Sequence, residues 1–416
     1  MSDTPAPVPS PAPQEPPYAW VVVWACFGSL ALIFGVSYSF AAFFASFAAE
    51  FAAQRADVAM VFGLCGLIYF VLGVGGGMLA DRFGPRAVCM AGMAGIAAGL
   101  LGTSLAQSMG MVYLCYGVGI GIGIALVYTP SIACVQPWFT RRRGLAAGIA
   151  SAGIGAGTLV VPLLASGAIA WLQWRDALRL LALAVLVMGL GCAALMRRAP
   201  AAQAVSGGAK QPLPGHTLRQ ALRSRSFWWL YLGAVLAAPS MFVPFAHVSA
   251  AARDAGIDAA QAVGLVGLIG IGSLVGRFAI GALADRLGRT LTLVLMQGAM
   301  GATYLLWAGA ASYPLFALFA LCFGLSYGGI VSLLPALCMD YFGARAVASI
   351  IGMLYSGAAL GNLLGPVLAG LVFDRTGSYS LVIWACLALS ALATAVSARL
   401  VASQRAAVRS GSVEVA

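Results

Sequence analysis

Residues 264–289 read GLVGLIGIGSLVGRFAIGALADRLGR, and this stretch decides the fold. The run is apolar enough and long enough to cross a bilayer as one helix, yet Arg277 lies inside it. At about 1.5 Å of rise per residue, Arg277 lies about 12 Å before Asp285, the polar end of the run. That is near the middle of a hydrocarbon core about 30 Å thick. An arginine there costs at least about 2.5–3.5 kcal/mol, so we expect it to face a cavity or a partner.

The composition of the whole chain extends this interpretation. The 416 residues are 62% hydrophobic and only 8% charged, with a mean hydropathy of +0.96. A soluble domain carries about a quarter charged residues, so a soluble protein is excluded. The apolar runs are continuous over about twenty residues, which excludes the ten-residue alternation of a membrane β-barrel. The sequence therefore predicts an all-α membrane protein with many spans.

Charged and Pro/Gly clusters divide the chain into twelve candidate spans. These are 18–45, 58–80, 87–107, 110–136, 144–169, 176–196, 227–251, 260–284, 290–310, 313–338, 346–372 and 379–400. The longest polar segment between spans separates two six-helix halves. The expected organisation is a disordered tail (1–17), a first half (18–196), a linker (197–225), a second half (226–400) and a second tail (401–416).

The basic residues predict the orientation. Those outside the spans fall on the side of the termini and the linker, apart from Arg55, Arg175, Arg179, Arg253 and Arg375. The positive-inside rule then places both termini in the cytoplasm and the protein in the plasma (cell inner) membrane. Membrane sidedness accounts for the net charge of +11, so we expect no nucleic-acid partner.

Two short stretches repeat between the halves. Residues 77–86, GMLADRFGPR, follow the second span, and residues 281–289, GALADRLGR, follow the eighth. A duplicated six-span unit with a linker is typical of transporters whose halves move against each other. The repeated stretch resembles the loop signature of the major facilitator superfamily.

That resemblance implies a twelve-helix fold in which these loops help to hold one of two alternating conformations. We expect Asp81 and Asp285 to accept bonds from helix N-terminal amides, and neighbouring arginines to pair across the two halves. The alternative is a solvated loop that only sets topology. The predicted gating residues are Gly77, Asp81, Arg82, Gly84, Arg86, Gly281, Asp285, Arg286, Gly288 and Arg289.

A narrower resemblance covers three other stretches. Residues 138–153, WFTRRRGLAAGIASAG, are similar to the monocarboxylate transporter family, as are VPFAH at 243–247 and DRTGSY at 374–379. The related oxalate/formate antiporters share a similar RRGLA stretch and are the nearest alternative. The resemblance implies alternating-access transport of a small monocarboxylate such as lactate or pyruvate with a proton, and the alternative implies organic-anion exchange.

The distribution of charge supports a carboxylate substrate. Every one of the 12 acidic residues falls in a tail, a loop or the end of a span, so Arg277 has no evident counter-ion at its depth. A guanidinium binds a carboxylate through two parallel bonds, and a single cation favours a single carboxylate. The alternative is that Arg277 bonds to backbone carbonyls and tyrosines and only joins helices.

Other polar side chains inside the spans are candidates for the same site. Since spans one, four, seven and ten line the cavity in the family that the chain resembles, we expect some of them to contact substrate; the alternative for each is an interhelical hydrogen bond. They are Tyr38, Tyr128, Ser273, Tyr327, Tyr355 and Asn362.

Coupling to a proton has three candidate carriers, namely His247, Asp57 and Asp374. His247 titrates in the right range but lies near the end of its span. The alternatives are that the proton travels with the Arg277–carboxylate pair, or that anions are exchanged without a proton. No nucleophile–base pair or metal cluster is evident, so we expect no enzyme activity, no cofactor and no metal, in a protein that functions as a monomer.

Overall fold

The computed structural model describes residues 16–139, 143–199, 215–343 and 345–409, which are almost entirely helical. Twelve of the described helices are long and apolar enough to cross a membrane. They are α1 (Tyr18–Glu50), α2 (Arg55–Phe83), α3 (Pro85–Ser104), α4 (Met109–Val135), α5 (Arg143–Trp171), α6 (Trp174–Leu195), α7 (Arg225–Asp254), α8 (Ala259–Leu287), α9 (Arg289–Ala308), α10 (Tyr313–Phe342), α11 (Val347–Thr376) and α12 (Ser380–Arg409). The predicted all-α fold with twelve spans is confirmed.

Most helices extend beyond the spans predicted from hydropathy. For example, α11 ends at Thr376, whereas its predicted span ends at 372. A hydropathy window finds the hydrocarbon-spanning part, but helices continue into the interfacial region. The repeated stretches end α2 and α8 at equivalent glycines, Gly84 (φ +91°) and Gly288 (φ +85°). Because a side chain disfavours this left-handed conformation, glycine permits the sharp turn into the next helix.

Close glycine contacts hold α8 against α10. Gly272 and Gly276 of α8 lie directly on the backbone of α10, and Gly324 and Gly328 of α10 lie on the backbone of α8. A Cβ at any of the four positions would overlap backbone atoms. Small residues spaced by four let membrane helices approach closely. The contact places Arg277, the next residue of α8, beside α10.

The first six helices meet the last six mainly through two pairs, α2 with α11 and α5 with α8, and more weakly through α1 with α7. Twelve crossings put the start of α1, the end of α12 and the α6–α7 connection on one side, which we call the linker side. The other side is called the opposite side. A short helix, Leu218–Arg223, lies in the described part of the α6–α7 connection.

Candidate functional site

A cavity of about 80 Å³ lies between the two halves. We call it the central cavity. It extends from mid-depth toward the linker side. It is lined by Phe34, Tyr69, Phe70, Tyr128, Ile154, Leu230, Ala234, Ala237, Met241, Phe242, Arg277, Leu293, Gln297, Tyr327, Ile330, Val331, Leu334, Leu354, Tyr355 and Ala358. Most of these side chains are apolar or aromatic, so the few polar groups decide what the cavity can bind.

Arg277 contributes the positive charge in this lining. Its side chain is half-buried, and its Nε atom is buried without a hydrogen-bond partner. Within the described parts of the chain, the ion pairs and side-chain hydrogen bonds do not include Arg277. Tyr128, Tyr327 and Tyr355 line the same cavity. The four predicted residues therefore lie together around one space.

This arrangement suits a carboxylate. The planar guanidinium can donate two parallel hydrogen bonds to the two oxygens of a carboxylate. The phenol hydroxyls of Tyr128, Tyr327 and Tyr355 can each donate one more. The aromatic and aliphatic walls exclude water, and a charge-assisted bond is stronger in such surroundings than in water.

Tyr38 lies outside the lining, on the opposite-side face of the cavity. Its hydroxyl is 3.2 Å from the hydroxyl of Tyr327, and its ring stacks on Phe245 of the other half with centroids 4.3 Å apart. Phe245 in turn packs edge-on against Tyr327, with centroids 5.2 Å apart. These three rings form an aromatic layer between the cavity and the opposite side. Tyr38 thus adjoins the cavity through two of its lining residues, Tyr327 and Phe34.

Two further predicted substrate-binding residues, Ser273 and Asn362, do not line the cavity. Ser273 is buried one helical turn from Arg277, and its Oγ has no partner among the described residues. Asn362 is fully buried between the halves, where Nδ2 donates to the carbonyls of Phe62 and Gly63 at 3.4 and 3.3 Å. The amide of Asn362 occupies the space that a side chain at Gly66 would need. Asn362 therefore joins α11 to α2.

Beyond the aromatic layer, a polar cluster joins the halves on the opposite side. We call it the Arg55 cluster; it comprises Arg55, Asp254, Asp374 and Tyr379. Arg55 is the first residue of α2, and its guanidinium bonds to Asp254 of α7 at 2.7 Å and to the Tyr379 hydroxyl at 2.7 Å. The guanidinium also lies 3.7 Å from the ring centroid of Phe373. The guanidinium of one arginine of the first half thus contacts three residues of the second.

Asp374 and Asp57, two predicted proton carriers, are both engaged with helix ends. Asp374 accepts the backbone N–H groups of Arg55 and Ala56 at 3.0 and 2.9 Å, so a carboxylate of one half caps a helix of the other. Asp57 is exposed and accepts the backbone N–H of Gln54 at 3.3 Å, within its own helix cap. Neither lines the central cavity.

His247, the third predicted carrier, is fully buried next to the Arg55 cluster. Its Nε2 lies 2.8 Å from the carbonyl of Pro366 and its Nδ1 lies 3.0 Å from the Tyr379 hydroxyl. Since a carbonyl only accepts, Nε2 carries the hydrogen, and Nδ1 of the neutral ring accepts from Tyr379. Arg55, Tyr379, His247 and Pro366 therefore form one continuous chain of hydrogen bonds.

The structure describes part of the predicted gating set on the linker side. Arg289 pairs with Asp340 of α10 at 2.5 Å, inside its own half. Arg82, Arg86 and Arg286 are exposed, and no ion pair joins them to a described residue of the other half. The pairing of these loops across the halves stays a prediction. The side chains of Asp81 and Asp285, and Gly281, lie outside the described residues.

Sequence reasoning missed several residues of the site. Gln297 and Tyr69 line the central cavity, and Arg55 is central to the polar cluster. Gln297 carried a usable signal, because an uncharged polar side chain inside an apolar span needs a partner. Arg55 was read only as a loop charge that sets topology, and nothing in the local sequence indicates its contacts with α7 and α11.

Comparisons with known proteins agree with this architecture. The sequence profile of the Major Facilitator Superfamily matches residues 25–350 and 238–414. Monocarboxylate transporter 13 of Bos taurus is 32% identical over 367 residues, which cover 87% of this chain and 84% of that protein. Monocarboxylate transporter 3 of Rattus norvegicus is 31% identical over 380 residues, which cover 88% of this chain and 76% of that protein.

A solved structure shows the same fold. A bacterial homologue of the human lysosomal transporter Spinster, in an inward-facing and occupied conformation, superposes with a TM-score of 0.71 at 17% identity, covering 94% of this chain and 98% of that one. The prediction of a transporter rather than an enzyme is confirmed. The chain belongs to the major facilitator superfamily and, within it, to the monocarboxylate transporter family.

Proposed function

We propose that this multi-pass membrane transporter carries a small monocarboxylate, similar in size to lactate or pyruvate, by alternating access between its two halves. The observation that carries the proposal is Arg277, a guanidinium in the wall of the central cavity without an acidic partner among the described residues. An intramembrane arginine facing a cavity is a functional residue by default. The names of the relatives support the same class of substrate.

In this proposal Arg277 binds the carboxylate, and Tyr128, Tyr327 and Tyr355 add hydrogen bonds. One cation in the described lining favours one carboxylate, because a second negative charge would be buried unpaired. The volume of about 80 Å³ suits a solute of a few carbon atoms. Tyr38 acts through Tyr327, while Ser273 and Asn362 support helix packing.

Uptake of labelled lactate, pyruvate and butanoate into proteoliposomes tests the proposal. We expect Arg277→Leu to abolish uptake and Arg277→Lys to leave a small fraction of it, because an ammonium keeps the charge but not the planar fork. Arg179→Leu is the matched control, because Arg179 pairs with Asp176 far from the cavity. Undiminished uptake by Arg277→Leu would end the proposal.

We propose further that the linker side is cytoplasmic, that the protein lies in the plasma membrane, and that it transports a proton with each carboxylate as a monomer. The charge bias of the loops supports the orientation. Moving one anion against 100 mV costs about 2.3 kcal/mol, which a co-transported proton removes. Collapse of uptake on adding a protonophore would support symport, whereas uptake that instead requires an anion on the other side would establish exchange.

None of the three predicted carriers faces the cavity, and each is engaged by named partners. We therefore assign His247 and Asp374 to closure of the opposite side, Asp57 to its own helix cap, and the proton to the substrate bound at Arg277. His247→Gln tests this assignment. We expect it to keep the stimulation of uptake by acidic medium while changing the overall rate. If the variant takes up substrate normally in neutral medium but is no longer stimulated by acidic medium, His247 belongs to the proton pathway.

A further inference from the structure

One wall of the central cavity comes from α9, a helix that otherwise packs against α10 and α12. The cavity passes between the α7 residues Leu230 and Ala234 and the α10 residues Val331 and Leu334, and it reaches Gln297 of α9. Gln297 is 3% exposed, and its Oε1 atom has no hydrogen-bond partner among the described residues.

Gly233 of α7 lies close to this amide and to Ser397 of α12. A Cβ at Gly233 of α7 would lie 2.6 Å from Oγ of Ser397 and 3.9 Å from Nε2 of Gln297. Oγ of Ser397, on α12, also lacks a partner in the described structure. An unpaired buried acceptor costs about 1–3 kcal/mol, so the chain maintains this polar group at a cost. Such a cost is recovered when a ligand supplies the missing partner.

Gln297 and Arg277 lie at similar depth. Gln297 is eight residues from the start of α9, which corresponds to about 12 Å, and Arg277 is ten residues from the end of α8, about 15 Å. Both residues line the same cavity at this depth. Gln297 is also the one uncharged, non-phenolic polar residue in the described lining.

We propose that Gln297 is a specificity-determining residue that hydrogen-bonds a hydroxyl group on the carbon chain of the transported acid, while Arg277 binds its carboxylate. The favoured substrates are hydroxylated monocarboxylates. A hydroxyl both donates and accepts, so it pairs with either end of the amide. An analogue without the hydroxyl leaves the amide unpaired, and such sites reject it. This inference rests on the proposed function, because it requires a carboxylate at Arg277.

The test compares uptake of butanoate with uptake of its three positional hydroxy acids, which have the same carbon number. We expect the wild type to take up at least one of them about tenfold faster than butanoate at limiting concentration. One additional hydrogen bond to the substrate gives a preference of about this size. In Gln297→Leu the ratio should fall to about one, with butanoate uptake retained. Leucine removes a buried unpaired acceptor, so the variant should unfold at the wild-type temperature or above it.

Ser390→Ala is the matched control. Ser390 is a buried residue with an unpaired Oγ, and it contacts α9 at Gly301, but it does not line the cavity. Its variant should keep the wild-type ratio. An equal ratio in wild type and Gln297→Leu, or no preference in wild type, would overturn the role of Gln297. Absence of Arg277-dependent butanoate uptake in wild type would instead defeat the proposed function itself.

Discussion

The two ends of the contact between the halves are built differently. On the opposite side, the Arg55 cluster joins α2 to α7 and α11 through hydrogen bonds and an ion pair, and the aromatic layer lies beneath it. On the linker side, the close contacts across the halves are apolar, such as Gly352 against Val74 and Gly148 against Phe278. The polar bonds that the structure shows there, such as Arg289–Asp340, stay within one half.

The difference indicates which end holds this conformation. Bonds with defined partners and directions fix the opposite side, whereas the linker-side contacts between the halves that the described residues make depend on shape. The cavity lies nearer the linker side, and residues such as Met78 of α2 are 65% exposed there. Solute access in this conformation is therefore expected from the linker side, with the opposite side closed by two successive layers.

The largest expected effect comes from Gly370→Ala. A Cβ at Gly370 of α11 would lie 2.6 Å from N and Cα of Ala56, and backbone atoms cannot rotate away. Overpacking costs about 1–3 kcal/mol, so the closed opposite side should lose tenfold or more of its population. The measurement is the rate of cross-linking between cysteines introduced at Ala45 and Ala250, which line one opposite-side cavity, in a background without native cysteines.

Gly75→Ala is the control for this substitution. Gly75 lies on α2 toward the linker side, and a Cβ there would meet nothing within 4 Å. Its cross-linking rate should match wild type. A similar change in both variants would show that the two ends do not differ in tightness.

Arg55→Gln should have the next largest effect. It removes the ion pair with Asp254 and the contact with the Phe373 ring while leaving an amide that can reach Tyr379. Because the two side chains keep 21% and 41% exposure, solvent screens the pair, and we expect a loss of about 1 kcal/mol, near fivefold in the cross-linking assay. Arg253→Gln, at an exposed neighbour on α7 that lines the same opposite-side cavity, should leave the cross-linking rate unchanged.

Asp374→Asn should have a smaller effect of the same sign. The variant keeps one acceptor for the N–H groups of Arg55 and Ala56 but loses the charge at the start of α2. A charge at a helix N-terminus is worth about 0.3–1 kcal/mol, so cross-linking should slow about twofold to fivefold. Asp258→Asn serves as the control, because Asp258 caps α8 within one half. An equal effect of both variants would locate the loss in helix stability.

The smallest effect is expected at the linker side. Met78→Ala removes an exposed side chain from α2, so the free energy of unfolding should change by no more than about 0.5 kcal/mol. Thermal unfolding of the purified protein measures it. If Met78→Ala instead costs about 1–3 kcal/mol, as expected for overpacking at Gly370, the linker side is held as firmly as the opposite side.

The fold was predictable because the bilayer imposes it. Continuous apolar runs leave no alternative to helices, and the position of Arg277 at mid-depth required a cavity, which the structure places there. Tyr128 and Tyr327 were predicted because they lie on spans four and ten, which line the cavity in the family that the chain resembles. Tyr355 was a candidate because it is a polar side chain inside an apolar span.

The direction of a side chain around its helix was not predictable in the same way. Asn362 lies one turn beyond Ala358, a lining residue, yet it meets Phe62 and Gly63 because α2 crosses α11 there. Ser273 lies one turn from Arg277 but is covered by Gly328 of α10. Such outcomes depend on where neighbouring helices cross. The Arg55 cluster was missed for the same reason, since its partners are far apart in the chain.

The contact of Asn362 with α2 has a mechanical consequence. The Nδ2 group of Asn362 is shared between the carbonyls of two successive residues, Phe62 and Gly63. A small rotation of α11 can therefore shift this donor from one carbonyl to the other while a hydrogen bond is kept. Because Gly66 presents no side chain, the amide of Asn362 lies directly against α2. The contact of Asn362 with α2 is thus suited to be the pivot of a rocking motion in which one side of the molecule opens while the other closes.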